Sequence, residues 1–182
     1  STMHIKFLKK YYFIEKFNKS NIDKQTKNTT IIYRNYKKNY IEDEIIYLRD
    51  YCKKKNLEFI LSNNVKLSIK LKLDGAYLPS FNKNFSHLNY VFKKDFLLFG
   101  SAHNLKEIRI KEKQKVNKIF LSSIFKKNKN FLGINKFKII SGFSRNQFIA
   151  LGGISQKNVK LIGLTRSKGF AGISYFEKKK GP

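Results

Sequence analysis

Two glycine-containing segments near the end of the chain have the make-up of an anion-binding bend. Ala150-Leu151-Gly152-Gly153-Ile154 closes an apolar run and precedes a helical stretch that starts near Asn158. Adjacent glycines let main-chain N–H groups approach a phosphate with no Cβ in the way. Gly172-Ile173-Ser174 then adds a hydroxyl and further amides. One reading is a phosphate monoester gripped by Gly152, Gly153, Ile173 and Ser174. The plainer reading is a tight turn that needs glycine, and the residues alone leave both open. Other reactive types are sparse. Of the three histidines, His4 lies near the terminus, His87 sits in a polar stretch, and His103 follows an apolar run, where it either packs at a helix start or faces a site. Cys52 has no nearby histidine or second cysteine and reads as a buried thiol. Glu42, Asp43 and Glu44 suit the first turn of a helix, and Asp74 reads as structural. Tyr77 either stacks on a heterocycle or fills the core. No metal ligands are assigned.

The elements that must position these groups follow from periodicity. Short apolar runs fall at Tyr11–Ile14, Thr30–Tyr33, Phe59–Ser62, Gly75–Leu78, Phe96–Phe99, Lys118–Leu121, Phe148–Leu151 and Gly172–Ser174. Helical spacing appears between them at Ile41–Lys55, Val65–Leu71, Asn104–Lys115 and Asn158–Thr165, with Asn104 and Glu107 spaced as a capping box. Strands alternating with helices imply parallel pairing. Eight such units predict a single α/β domain over residues 1–182, a (β/α)8 TIM barrel, with a doubly wound open sheet as the alternative. The chain is short for a fold that averages about 250 residues, so the first and last helices are expected to be shortened or missing. Residues 177–182 form a basic tail, and residues 1–3 read as a tag remnant and a start at Met3. In a barrel, chemistry collects at the carboxyl ends of the strands, and the loops after strands 7 and 8 form a recurring phosphate site.

Composition bounds the function. The 182 residues carry 39 Lys+Arg against 12 Asp+Glu, a formal charge of +27. Hydrophobic residues make up 41% and aromatics 15%, which excludes a disordered chain. A single cysteine excludes a disulfide scaffold and, with no signal-like or membrane-length apolar segment, points to a cytoplasmic protein. The charge raises a third possibility, a basic nucleic-acid-binding protein. Against it, only five of the basic residues are Arg, and about 100 residues are Lys, Asn, Ile, Phe or Tyr, types whose codons can be written with A and T alone. Nucleic acid is therefore not the expected partner, whereas phosphorylated small molecules are attracted by any positive surface.

Taken in order, these segments resemble the thiamin-phosphate synthase and thiazole tautomerase (TenI-like) family. The carrying residues are Ile32-Tyr33-Arg34, Ser62-Asn63-Asn64, Asp74 to Ser80, Ser101-Ala102-His103-Asn104, Ile124-Phe125, Leu132-Gly133, Ala150 to Ile154 with Asn158, and Gly169 to Ser174. The resemblance implies a (β/α)8 barrel, usually a homodimer, that joins a hydroxymethylpyrimidine pyrophosphate to a thiazole phosphate with Mg²⁺ and releases pyrophosphate. It assigns Gly152, Gly153, Ile173 and Ser174 to the thiazole phosphate. Arg34, Asn63 and Ser101 go to the pyrophosphate, with Lys127 or Lys129 standing for the lysine of the loop after strand 6. The departures are as informative. Ile32 and Tyr36 occupy the Gln and Lys places of the strand-2 motif. Asn64 stands where the Mg²⁺-binding Asp belongs, and Leu78 to Asn82 carries no acid. Mg²⁺ is implied while its usual carboxylates are missing, and a hard cation wants anionic oxygen. Either lysines such as Lys37, Lys127 and Lys129 supply the counter-charge, or the synthase reaction is lost. A tautomerase-like or other phosphate-ester-binding role is the alternative, yet Ser123 takes the place of that branch's histidine.

Overall fold

Each β-branched or aromatic run becomes one stave of a closed cylinder. In a computed structural model that describes residues 7–177, the strands are β1 (Lys9–Ile14), β2 (Thr29–Tyr33), β3 (Glu58–Ser62), β4 (Gly75–Leu78), β5 (Leu97–Ala102), β6 (Lys118–Ser122), β7 (Gln147–Leu151) and β8 (Gly169–Gly172). All neighbours pair in parallel and β8 returns to β1, so the sheet closes in the order of the sequence. The helices are α1 (Lys19–Asp23), α2 (Glu42–Lys54), α3 (Val65–Lys70), α4 (Leu105–Lys113), α5 (Gly133–Gly142) and α6 (Ser174–Glu177). Two 3₁₀ turns, Ser86–Asn89 and Val159–Leu164, complete the ring. This is the expected (β/α)8 barrel, and its first and last helices are indeed short, at five and four residues.

Alternate residues of every strand face opposite ways, which splits the core in two. Tyr12, Ile31, Phe59, Ala76, Ile119 and Ala150 pack outward under the helices. Tyr11, Phe13, Ile32, Ile60, Tyr77, Phe99, Phe120, Ile149 and Ala171 fill the cylinder. Five of these nine are aromatic and meet mostly edge to face, as in Tyr11–Phe120 at 4.9 Å and Phe13–Tyr77 at 5.2 Å between centroids. The interior is therefore plugged with rings. The floor is polar: Lys118 Nζ donates to the Tyr11 hydroxyl at 2.9 Å, and Lys9 is paired with Glu58.

Three expectations are corrected and one element is added. The eighth strand is Gly169–Gly172, not Gly172–Ser174, and Ser174 opens the final helical turn. The fifth strand runs on from Leu97 to Ala102. Within the stretch Asn158–Thr165, Val159–Leu164 forms a 3₁₀ helix rather than an α-helix, with no side-chain cap from Asn158. Helix α5 had no sequence signal, since it begins at Gly133 with no side-chain cap from Leu132. The readings of His4, Met3 and residues 178–182 fall outside the described residues.

Candidate active site at the barrel mouth

Parallel register brings the two glycine bends side by side. Leu151 pairs with Ala171, so Gly152 and Gly153 leave β7 next to Gly172 and Ile173 leaving β8. Gly152 and Gly153 have φ of +109° and +71°, the left-handed region where only glycine is unstrained. A Cβ on Gly152 would stand 2.4 Å from Ser123 Oγ, and one on Gly153 would stand 2.6 Å from the Lys126 nitrogen. The loop after β6 thus lies directly against the bend. Phe125 and Lys126 amides donate to the Gly152 carbonyl at 2.9 and 3.2 Å, and Ser123 Oγ donates to the Lys126 carbonyl at 2.9 Å. Ser123 is buried in this contact, which occupies its hydroxyl. Lys127 and Lys129 are exposed on the same loop. Ser174 is exposed, and Ile173 is 38% exposed.

Across the mouth, β2, β3, β4 and β5 present a different surface. Arg34 follows β2, and its guanidinium carbon lies 4.1 Å over the Phe13 ring, so the top of the aromatic plug carries the charge. Among the described residues no carboxylate stands within salt-bridge distance of it. Tyr36 hydroxyl and Ser62 Oγ are 2.9 Å apart, and Tyr40 donates to the Ser62 carbonyl at 2.7 Å. Ser101 meets the hydroxyl of Tyr77, whose pKa is raised above the usual phenol value chiefly by burial. Tyr77 is 1% exposed and packs on Phe13 and Phe120. Of its two readings the core one holds.

Asn63 and Asn64 leave β3 on divergent tasks. Asn64 Oδ1 caps α3 by accepting from the Leu67 amide at 3.0 Å. Asn63 has φ +61° and its Oδ1 accepts from Asn82 Nδ2 at 2.8 Å. Both amide oxygens are engaged, and among the described residues no three His, Cys, Asp or Glu side chains come together. This donor set does not fit a hard divalent cation. Lys37 and Lys38 point elsewhere: with Lys16, Phe17, Tyr33 and Tyr47 they line a separate cleft of about 630 Å³ between the β1 and β2 loops and α2. His103 is tied to its own helix, Nδ1 lying 2.9 Å from Glu107 Oε2, which also accepts from the His103 amide. It packs at the helix start. Cys52 is fully buried, and burial pushes its thiol up to about 12.

Sequence reasoning missed the device that supports Asn82. Lys111 on α4 is completely buried, and its Nζ donates to the Asn82 carbonyl at 2.7 Å and to Gln114 Oε1 at 2.8 Å. Gln114 Nε2 reaches the carbonyls of Asn82 and Asn84 at 3.0 and 2.8 Å, and His87 Nε2 lies 2.8 Å from the Gln114 carbonyl. Burial pulls the Lys111 amine down to about 8, partly offset by Glu107. The only sequence signal is Gly100 on β5, where a Cβ would stand 2.6 Å from the Lys111 chain.

A closed ring of eight parallel strands, with Arg34 and two glycine bends at the carboxyl ends of its strands, defines a (β/α)8 barrel of the TIM class. The comparisons narrow the class. A sequence model of the family described as thiamine monophosphate synthase matches residues 20–176, and the chain belongs to that family. Thiamine-phosphate synthase of Hydrogenobaculum sp. is 23% identical over 146 residues, 78% of this chain and 68% of that protein. A putative thiamine-phosphate synthase 2 of Aquifex aeolicus is 28% identical over 133 residues, 71% of each. The chain spans only 58% of another relative, the synthase of Methanococcus vannielii. Among solved structures, thiamine phosphate pyrophosphorylase of Pyrococcus furiosus superposes with a TM-score of 0.74 at 18% identity, covering 94% of this chain and 88% of that one. The fold is shared. Among the described residues no helix is long and apolar enough to cross a membrane.

Proposed function

We propose that this barrel is a transferase of thiamin-phosphate-synthase type, joining hydroxymethylpyrimidine pyrophosphate to a thiazole phosphate. The observation that carries the reading is Arg34, held over Phe13 with no carboxylate within salt-bridge distance among the described residues, at the same end of the barrel as the glycine bends of β7 and β8. In the reaction the bond between the pyrimidine methylene and the pyrophosphate oxygen breaks and its electron pair leaves with the oxygen. The thiazole nitrogen then donates its lone pair to the methylene carbon. Such a step needs charge neutralisation of the leaving group more than an acid or base. Arg34, Asn63 and Ser101 would hold the pyrophosphate, with Lys127 or Lys129 closing over it. Gly152, Gly153, Ile173 and Ser174 would hold the thiazole phosphate. No step is routed through Mg²⁺, because the amides at 63, 64 and 82 do not supply its ligands.

The same amides favour a second reading, a phosphate-ester binder without synthase activity. Incubation with both substrates, with and without Mg²⁺, separates the two by pyrophosphate release. Release that persists in EDTA supports the cation-borne synthase. Titration heat from the thiazole phosphate alone, with no pyrophosphate formed in either condition, removes the synthase reading and leaves the second.

A further inference from the structure

Two large aromatic side chains stand half-exposed at the mouth, one anchored by its own hydroxyl and the other through its neighbour. Tyr36 is 50% and Phe81 60% exposed, and their rings meet edge to face at 5.3 Å. Free aromatic side chains on mobile loops gain little from such a pose, so the anchors matter. The Tyr36 hydroxyl is fixed 2.9 Å from Ser62 Oγ at the end of β3. Phe81 is fixed through its neighbour Asn82, whose side chain donates to Asn63 and whose carbonyl takes bonds from buried Lys111 and Gln114. Burial is what raises the Tyr36 phenol, while the nearby Arg34 charge opposes it, which places ring and guanidinium in one electrostatic neighbourhood. The mouth therefore offers a cation beside exposed π-faces.

We infer that Tyr36 and Phe81 form a stacking wall for the planar heteroaromatic ring of the pyrophosphate ester, with Arg34 taking its anionic end. The inference rests on the reading of the function above and names the ring-recognising residues of that site. The chemistry matches at both ends. A pyrimidine presents a face that stacks on any aromatic side chain, and its pyrophosphate presents the negative charge that Arg34 does not meet in any carboxylate among the described residues. A tyrosine rather than a lysine at position 36 moves recognition from the phosphates toward the ring.

The test is calorimetric titration of the full chain with two probes, hydroxymethylpyrimidine pyrophosphate and inorganic pyrophosphate, in wild type, Phe81→Ala and Tyr36→Phe. Loss of a stacking partner weakens a base-bearing ligand by about ten- to a hundredfold. Phe81→Ala should weaken the pyrimidine ester by that factor and leave inorganic pyrophosphate within twofold. Tyr36→Phe keeps the ring but frees it from Ser62, and should give a smaller, severalfold loss for the ester alone. Binding of the ester should also lower the ultraviolet absorbance of its ring in wild type and not in Phe81→Ala. Because Phe81 is mostly exposed, its variant should melt at the wild-type temperature. Equal affinity of wild type and Phe81→Ala for the ester overturns the wall while leaving the functional reading intact. A wild type that binds neither probe overturns both. A change in oligomeric mass in Phe81→Ala with unchanged ester affinity assigns the rings to a second copy of the chain and overturns the wall as well.

Discussion

Replacing Lys111 by Met gives a stability difference whose pH dependence can be worked out in advance. The amine is fully buried and its pKa falls from 10.5 to about 8. The folded state therefore releases this proton near pH 8, whereas the unfolded chain keeps it to pH 10.5. Between those values the unfolded state holds more protons, so stability rises with pH. At pH 7 the shift corresponds to about 3 kcal/mol against folding. By pH 9 the folded amine is mostly neutral, and integration of the two titrations recovers about 1 kcal/mol. Met has similar length and no titration. Its absolute effect mixes relief of that penalty with the loss of two hydrogen bonds and an orphaned Gln114 Oε1, each worth about 1–3 kcal/mol. The pH slope escapes this mixture. Urea unfolding of both proteins at pH 7 and pH 9 should show the wild type gaining about 1 kcal/mol relative to Lys111→Met. A difference that stays constant would mean that the amine is hydrated and titrates alike in both states, and a gain nearer 3 kcal/mol would mean that it is already neutral at pH 7; either result would make the buried-cation account wrong.

Three further outcomes follow from the same contacts. Gly153→Ala, with its Cβ 2.6 Å from the Lys126 nitrogen at φ +71°, should lose about 1–3 kcal/mol, whereas Gly172→Ala meets nothing within 4 Å and should melt close to wild type. Equal melting temperatures for the two would refute the close approach of the β6 loop. Cys52, its thiol pushed up to about 12, should resist a thiol reagent at pH 8 until the protein is unfolded, so prompt stoichiometric labelling of the native chain counts against its burial. The double variant Asn64→Asp/Asn82→Asp should bind Mg²⁺ measurably by calorimetry while the wild type gives no heat, and Mg²⁺ heat in the wild type would show that the amides suffice.

The barrel was legible because parallel strands are buried on both faces and read as short continuous apolar runs. Ile31-Ile32, Phe59 to Leu61 and Ile119 to Leu121 carry that signal without help from neighbours. Where it thins, the reading slipped. Strand β8 is Gly169-Phe170-Ala171-Gly172, half glycine, and its small residues leave room for the crowded rings inside the cylinder rather than announcing a strand. Helix α5 lacks a cap and was invisible. The candidate site was legible only where a main-chain requirement dictates the residue type, as at Gly152 and Gly153. His87 sits in a polar stretch, and nothing in the sequence singles out Lys111. Their burial depends on Gly100 and on the long segment between β4 and β5 folding back over α4, contacts between residues about thirty apart that no local period encodes.

The uncharged set at Asn63, Asn64 and Asn82 is coherent rather than eroded. An acid at 82 would set a carboxylate against Asn63 Oδ1, where Asn82 now donates an N–H at 2.8 Å, and an unpaired acceptor pair of this kind is costly without a cation between them. A lysine at 36 would leave the buried Ser62 hydroxyl without its Tyr36 partner. Tyr36, Asn82 and Asn64 are thus satisfied by Ser62, Asn63 and the Leu67 amide of α3, and Arg34 carries its charge over the aromatic plug. On the proposed synthase reading, a site built this way would neutralise the leaving pyrophosphate with fixed protein charge.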